Sequence, residues 1–96
     1  MSPSEHIGMP VDEIDTPVLL IDLDDLEFNI DKLATHFGQA GKHLRPHTKS
    51  HKTPAIAHLQ LQAGAIGVTC AKLGEAEVMA DAGIDDILIA NQVVGR

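Results

Sequence analysis

Tyrosine and tryptophan are absent from this chain, and its only aromatic side chains are Phe28 and Phe37. With few stacking rings, and with 14 Asp plus Glu against 7 Lys plus Arg, it lacks both ingredients of a nucleic-acid surface, and no nucleic-acid partner is expected. Cysteine occurs once, at Cys70. One thiol closes no internal disulfide, so a reducing, cytoplasmic compartment is expected, and Cys70 reads as a small buried hydrophobe. Long apolar runs are missing too: the longest, around Val18 to Ile21, falls far short of the ~20 residues a membrane helix needs. The acidic N-terminus, with Glu5, Asp12 and Glu13, does not resemble a signal or transit peptide. The apolar share of 44% is ordinary for a soluble globular core.

One further absence is local. No carboxylate occurs from Lys32 to Gly74, and within that stretch Lys42 to Lys52 reads KHLRPHTKSHK. In an extended segment side chains alternate between faces. Arg45, His47, Lys49 and His51 then point one way, and Leu44, Pro46, Thr48 and Ser50 the other. Crowded positive charge favours the free-amine form of a lysine, the form that attacks a carbonyl to make a Schiff base. Lys49 is therefore the candidate nucleophile. Two blander readings compete. Basic clusters are often just solvated faces, but this one alternates and lies where a strand is expected. His47 and His51, four apart, match the spacing of zinc-binding histidines on a helix; Pro46 opposes a helix, and no Cys, Asp or Glu stands nearby as a further ligand. No metal site is assigned within these residues.

Residues 1–14 show no convincing period and read as a lead-in; residues 15–96 form the organised part. Pro17 to Ile21 predicts a strand. A helix follows, with Asp24 as cap, Glu27 completing a capping box, Leu26, Ile30, Leu33 and Phe37 on one face, and Gly38 as terminator. From Leu44 the pattern is β-α-β-α-β: an extended run at 44–49, a helix from Pro54 to Ala63, a run at Ile66 to Cys70, a helix near Glu75 to Ala82, and a run at Ile87 to Ala90. Thr53-Pro54 and Gly64 punctuate the first of these helices, with Ile56, Leu59 and Ala63 as its buried stripe. In the second, Glu75 and Glu77 suit the positive helix N-terminus, Ala76, Met79 and Ala80 face inward, and Gly83 is the stop.

Lys49, Cys70 and Asn91 are spaced twenty-one residues apart, each at or just past a predicted strand end. Strands alternating with helices at such an interval indicate a parallel sheet with crossovers, and functional groups gather beyond its carboxyl ends. Three parallel strands leave two open edges. The expected fold class is thus α/β: the N-terminal part of a (β/α)8 TIM-type barrel, which normally takes about 250 residues.

The segments DTPVLLIDLDDLEFNI, LRPHTKSHKTPAIAHLQ and GAIGVTCAKLGEAEVMADAGIDDILIANQVVG resemble the start of the D-threonine aldolase and D-serine dehydratase family, fold-type III pyridoxal phosphate enzymes related to alanine racemase. The resemblance spans about residues 14–95, and R-P-H-x-K-x-H-K is its most specific part. It implies that Lys49 carries pyridoxal 5'-phosphate covalently at the end of the first barrel strand, with Arg45 and His47 beside it as cofactor contacts and His51 in the following turn. It implies a homodimer when full length, with a divalent metal held by residues outside this segment, and a segment inactive on its own. Where many relatives carry a glutamine near the cofactor, this chain has Ala71.

The activity so implied is that of a lyase on D-3-hydroxy amino acids, of aldolase or dehydratase type, with Lys49, His47 and His51 as the catalytic candidates. Two alternatives stand beside it: a non-catalytic pyridoxal phosphate carrier, since this barrel also serves cofactor homeostasis, and an amino-acid racemase, which needs a second acid/base group on the opposite cofactor face.

Overall fold

The computed structural model describes residues 3–95. Two short 3-10 turns, Pro3–His6 and Val11–Glu13, precede helix α1 (Leu23–Gln39). A third 3-10 turn, Thr48–Ser50, leads to α2 (Pro54–Gln62), strand β1 (Val68–Cys70), α3 (Leu73–Asp81) and strand β2 (Ile87–Ile89). β1 and β2 pair in parallel, Val68 opposite Ile87 and Cys70 opposite Ile89. Residues 44–47 lie along the other edge of β1: the Ile66 amide donates to the Leu44 carbonyl at 3.0 Å and the Thr69 amide to the Pro46 carbonyl at 2.8 Å, with a parallel bridge between His47 and Thr69. The parallel α/β order expected from the sequence is present. The even period is not: His47 stands opposite Thr69 and Thr69 opposite Leu88, intervals of twenty-two and nineteen residues, because register follows the hydrogen-bond ladder and each loop closes its own distance.

Helix ends follow from backbone chemistry. Each of the three α-helices closes on a left-handed glycine, Gly41 (φ 65°), Gly64 (φ 119°) or Gly83 (φ 92°), a conformation that costs a residue with a Cβ. Around Gly83 the Ile84 amide donates to the Met79 carbonyl at 3.1 Å and the Gly83 amide to the Ala80 carbonyl at 3.0 Å, the paired bonds of a Schellman motif. Gly41 rather than Gly38 therefore terminates α1. Its cap is also displaced from the expected residue: the Asp22 side chain accepts from the Asp25 amide at 3.1 Å, which places Asp24 inside the first turn, where its charge suits the helix dipole.

The run Pro17 to Ile21, predicted as a strand, is irregular and solvent-exposed, with Leu19 97% accessible. β-propensity alone does not make a strand; an adjacent ladder does, and among the described residues none lies beside this run. The core instead joins Ala57, Val68, Cys70, Ala76, Met79 and Ile84, with Leu61, Ile87 and Ile89 packed against it. Cys70 is fully buried, as a small hydrophobe should be. On α2 the deepest residues are Ile56 and Ala57, with Leu59 and Ala63 half-buried, and on α3 Ala80 faces solvent. No residue of α1 is buried. The molecule is flat, 43 × 40 × 20 Å, with a radius of gyration of 15.8 Å against about 12–13 Å for a compact domain of this length. No helix of the described residues is long and apolar enough to cross a membrane.

Met79 is 1% exposed at the centre of this small core. Met79→Ala is expected to destabilise the full-length protein by about 2–5 kcal/mol, the usual cost of emptying such a site, read as a fall in the urea midpoint at unchanged slope.

Candidate active site

The parallel segment 44–47 brings the basic cluster to the carboxyl end of β1 and then turns. Thr48–Ser50 is a 3-10 turn whose cap is His47, and the His47 Nδ1 accepts the Lys49 amide proton at 3.2 Å. The expected extended run to residue 49 thus stops two residues early. Alternation holds as far as Thr48, with Pro46 and Thr48 buried while Arg45 and His47 are half-buried. Lys49 lies on the turn itself and is exposed. The structure brings Lys49 and His47 together.

Arg45 it places elsewhere. The guanidinium Nη1 meets the Asp86 carboxylate at 2.8 Å, and donates to the Val68 carbonyl at 3.3 Å and the Asp86 carbonyl at 3.4 Å. Those carbonyls mark the amino ends of β1 and β2, so Arg45 is engaged at the opposite end of the strands from Lys49. His51 is committed as well: its Nδ1 accepts the Thr53 amide proton at 2.9 Å and its Nε2 faces Gln60 Oε1 at 3.2 Å. With Nδ1 accepting, the neutral ring carries its proton on Nε2 and donates it to Gln60. One nitrogen serves the cap of α2 at Thr53 and the other its last turn at Gln60, which leaves His51 none for proton transfer. By the same logic His47, accepting at Nδ1, presents an N–H at Nε2, and among the described residues that Nε2 makes no hydrogen bond.

Two groups at the site were not among the sequence candidates. Thr48, the one buried polar residue among the described residues, turns its hydroxyl to a Glu75 carboxylate oxygen, with the Thr69 carbonyl at 3.3 Å and Cys70 Sγ at 3.4 Å alongside. The other Glu75 oxygen accepts the Ala71 amide proton at 3.2 Å. The signal was legible in part: a threonine on the inward face of a strand needs an acceptor, and Glu75 is the first carboxylate after a long gap. At position 71 only backbone groups contribute, since the Ala71 carbonyl accepts from the Asn91 side chain at 3.0 Å.

Burial raises the affinity of Glu75 for its proton, but the hydrogen bonds from Thr48 and Ala71 and the charges of His47 and Lys52 outweigh it, holding the carboxyl below its ordinary 4.5. A group depressed in the folded state adds stability that is complete above its unfolded value and lost as pH falls through the folded one. Stability should therefore fall as pH drops below 4.5, and Glu75→Gln should flatten that limb, as read from urea midpoints across the acid range. A cavity of about 360 Å³ lies against this carboxylate, lined by Lys52, Lys72, Gly74, Glu75, Val78 and Met79; neither Lys49 nor His47 lines it. Among the described residues no three His, Cys, Asp or Glu side chains are grouped to hold a metal.

A family model for the N-terminal domain of alanine racemase matches residues 21–94. The chain belongs to this family. Among alanine racemase N-terminal domains it is similar to D-threonine aldolase of Arthrobacter sp, at 42% identity over 95 residues, which cover 99% of this chain and 25% of that protein. It is also similar to 3-hydroxy-D-aspartate aldolase of Paracoccus denitrificans, at 44% over 87 residues, covering 90% and 22%. The crystal structure of D-threonine aldolase from Filomicrobium marinum matches with a TM-score of 0.90 at 53% identity, over 92% of this chain and 24% of that one. The chain thus spans about a quarter of the length of these relatives. The resemblance to alanine racemase-related proteins read from the sequence thus holds at the level of the family.

Proposed function

We propose that the full-length protein is a pyridoxal phosphate-dependent lyase of D-3-hydroxy amino acids, with Lys49 as the residue bonded to the cofactor. The observation that supports this most is the position of Lys49: an exposed lysine on the turn that directly follows a parallel strand segment, its backbone amide bonded to the His47 ring. The donor set suits the cofactor, since an amine is what its aldehyde requires. When bound, pyridoxal phosphate supplies an electron sink for negative charge at the substrate α carbon. The chain's own residues then have separable tasks. Lys49 holds the cofactor. His47, with its proton on Nε2, would offer a hydrogen bond or a proton from that nitrogen. His51 braces α2 at its cap through Thr53 and in its last turn through Gln60, and Arg45 ties the amino ends of the strands to Asp86. The lyase names of the relatives favour this reading over a cofactor carrier or a racemase.

Borohydride reduction of the complete protein, followed by peptide mass mapping, tests the assignment. A pyridoxyl group on Lys49 is the expected result, and one on Lys52 or Lys72 overturns it. Assays with D-threonine, D-serine and D-3-hydroxyaspartate then separate the branches: glycine plus an aldehyde marks an aldolase, a keto acid plus ammonia a dehydratase. Turnover of none of them would refute the lyase reading.

A further inference from the structure

We propose that Glu75 is a positioning residue for Lys49, acting through the buried hydroxyl of Thr48. The proposal rests on the reading that Lys49 carries the cofactor. The turn bearing Lys49 is three residues long, and so short a 3-10 segment has little internal bonding to hold itself in place. Its internal supports are the Lys52 amide donating to the Thr48 carbonyl at 2.7 Å, the His51 amide donating to the same carbonyl at 3.3 Å, and the Lys49 amide donating to His47 Nδ1. All converge on Thr48 and its neighbours. What fixes Thr48 to the body of the protein is its side chain, fully buried and bonded to Glu75.

Glu75 is well placed for that task. It projects from the first turn of α3, a helix whose Ala76 and Met79 are locked in the core. Its two oxygens reach two different strand ends, Thr48 after the 44–47 segment and Ala71 after β1. A carboxylate bridging two such ends sets their separation, and charge-assisted bonds of this kind are the strong ones. The plainer role, a helix-start contact serving α3 alone, would need only the Ala71 bond. Thr48 separates the two roles, because Thr48→Val removes the hydroxyl at nearly constant volume and leaves the Ala71 bond intact.

The test uses the full-length protein and three variants, Thr48→Val, Thr48→Ser and Glu75→Gln. With the cofactor stripped, Thr48→Val and Glu75→Gln are expected to speed amide exchange of residues 47–52 about tenfold, the scale of one lost buried hydrogen bond. The dissociation constant for pyridoxal phosphate should rise by about the same factor. Protection of α3 should be unchanged in Thr48→Val, and Thr48→Ser should behave as wild type in both measurements. Wild-type exchange and affinity in Thr48→Val overturn the proposal, as does a loss confined to α3 in Glu75→Gln. If Glu75→Gln does not fold, the Thr48→Val and Thr48→Ser pair decides alone. Borohydride mapping of the wild type runs alongside: a label away from Lys49 refutes the function proposed above, while the exchange data still decide whether Glu75 holds the turn.

Discussion

Lys49→Ala in the full-length protein is expected to leave no borohydride-trapped cofactor and to lower turnover by on the order of 10³-fold or more, the scale of losing a nucleophile or a positioned proton-transfer group. Lys52 and Lys72 do not substitute, because both line the cavity on the α3 side, where Lys49 is absent. Lys49→Arg should fail equally, since a guanidinium keeps the charge but cannot be deprotonated to attack a carbonyl. Neither change should alter folding by more than about 0.5 kcal/mol, because the side chain is exposed and surface substitutions of this kind are usually near neutral. Peptide mass mapping and steady-state kinetics read the first effect, and urea midpoints the second. Turnover within about tenfold of wild type, a barrier change of only about 1.4 kcal/mol, would remove Lys49 from the mechanism.

The other large effect lies at the opposite end of the strands. Gly67→Ala is expected to destabilise the protein by about 3 kcal/mol, the upper range for overpacking a filled site. A Cβ at position 67 would stand 2.4 Å from the Asp86 carbonyl oxygen, 2.6 Å from Arg45 Nη1 and 2.9 Å from the Asp86 Cβ. The guanidinium has some freedom to move. The Asp86 backbone has little, because its carbonyl accepts the Val68 amide proton at 2.9 Å as β2 begins. The substitution therefore has to break either that ladder bond or the Arg45–Asp86 pair. A depressed urea midpoint with Lys49 still labelled is the expected signature. A midpoint within about 0.5 kcal/mol of wild type would show that this corner of the sheet yields.

Arg45 shows how far reading by alternation carries. Its face was correctly paired with that of His47, but position along the strand decides chemistry as much as face does. Two residues of extended chain, about 6.6 Å, separate a group at the amino ends of the strands from one at the carboxyl ends. Asp86, the partner that holds Arg45, lies forty-one positions away, and no local pattern points to it. Thr48 and Glu75 meet across twenty-seven positions in the same way.

What the chain's order of residues determined by itself was local or periodic: the glycines that end α2 and α3, the parallel alternation of strand and helix, the burial of Cys70, and a motif specific enough to mark the family. Hydrophobic period and turn chemistry act within a few residues, so they are written where they operate. Tertiary structure alone decided that Pro17 to Ile21 has no ladder to join, that the segment carrying Lys49 turns at Thr48, that both nitrogens of His51 are occupied, and that Glu75 bridges two strand ends. Each of these depends on which distant group arrives alongside, and a hydrogen bond at 3 Å exists only once the fold has brought its two ends together.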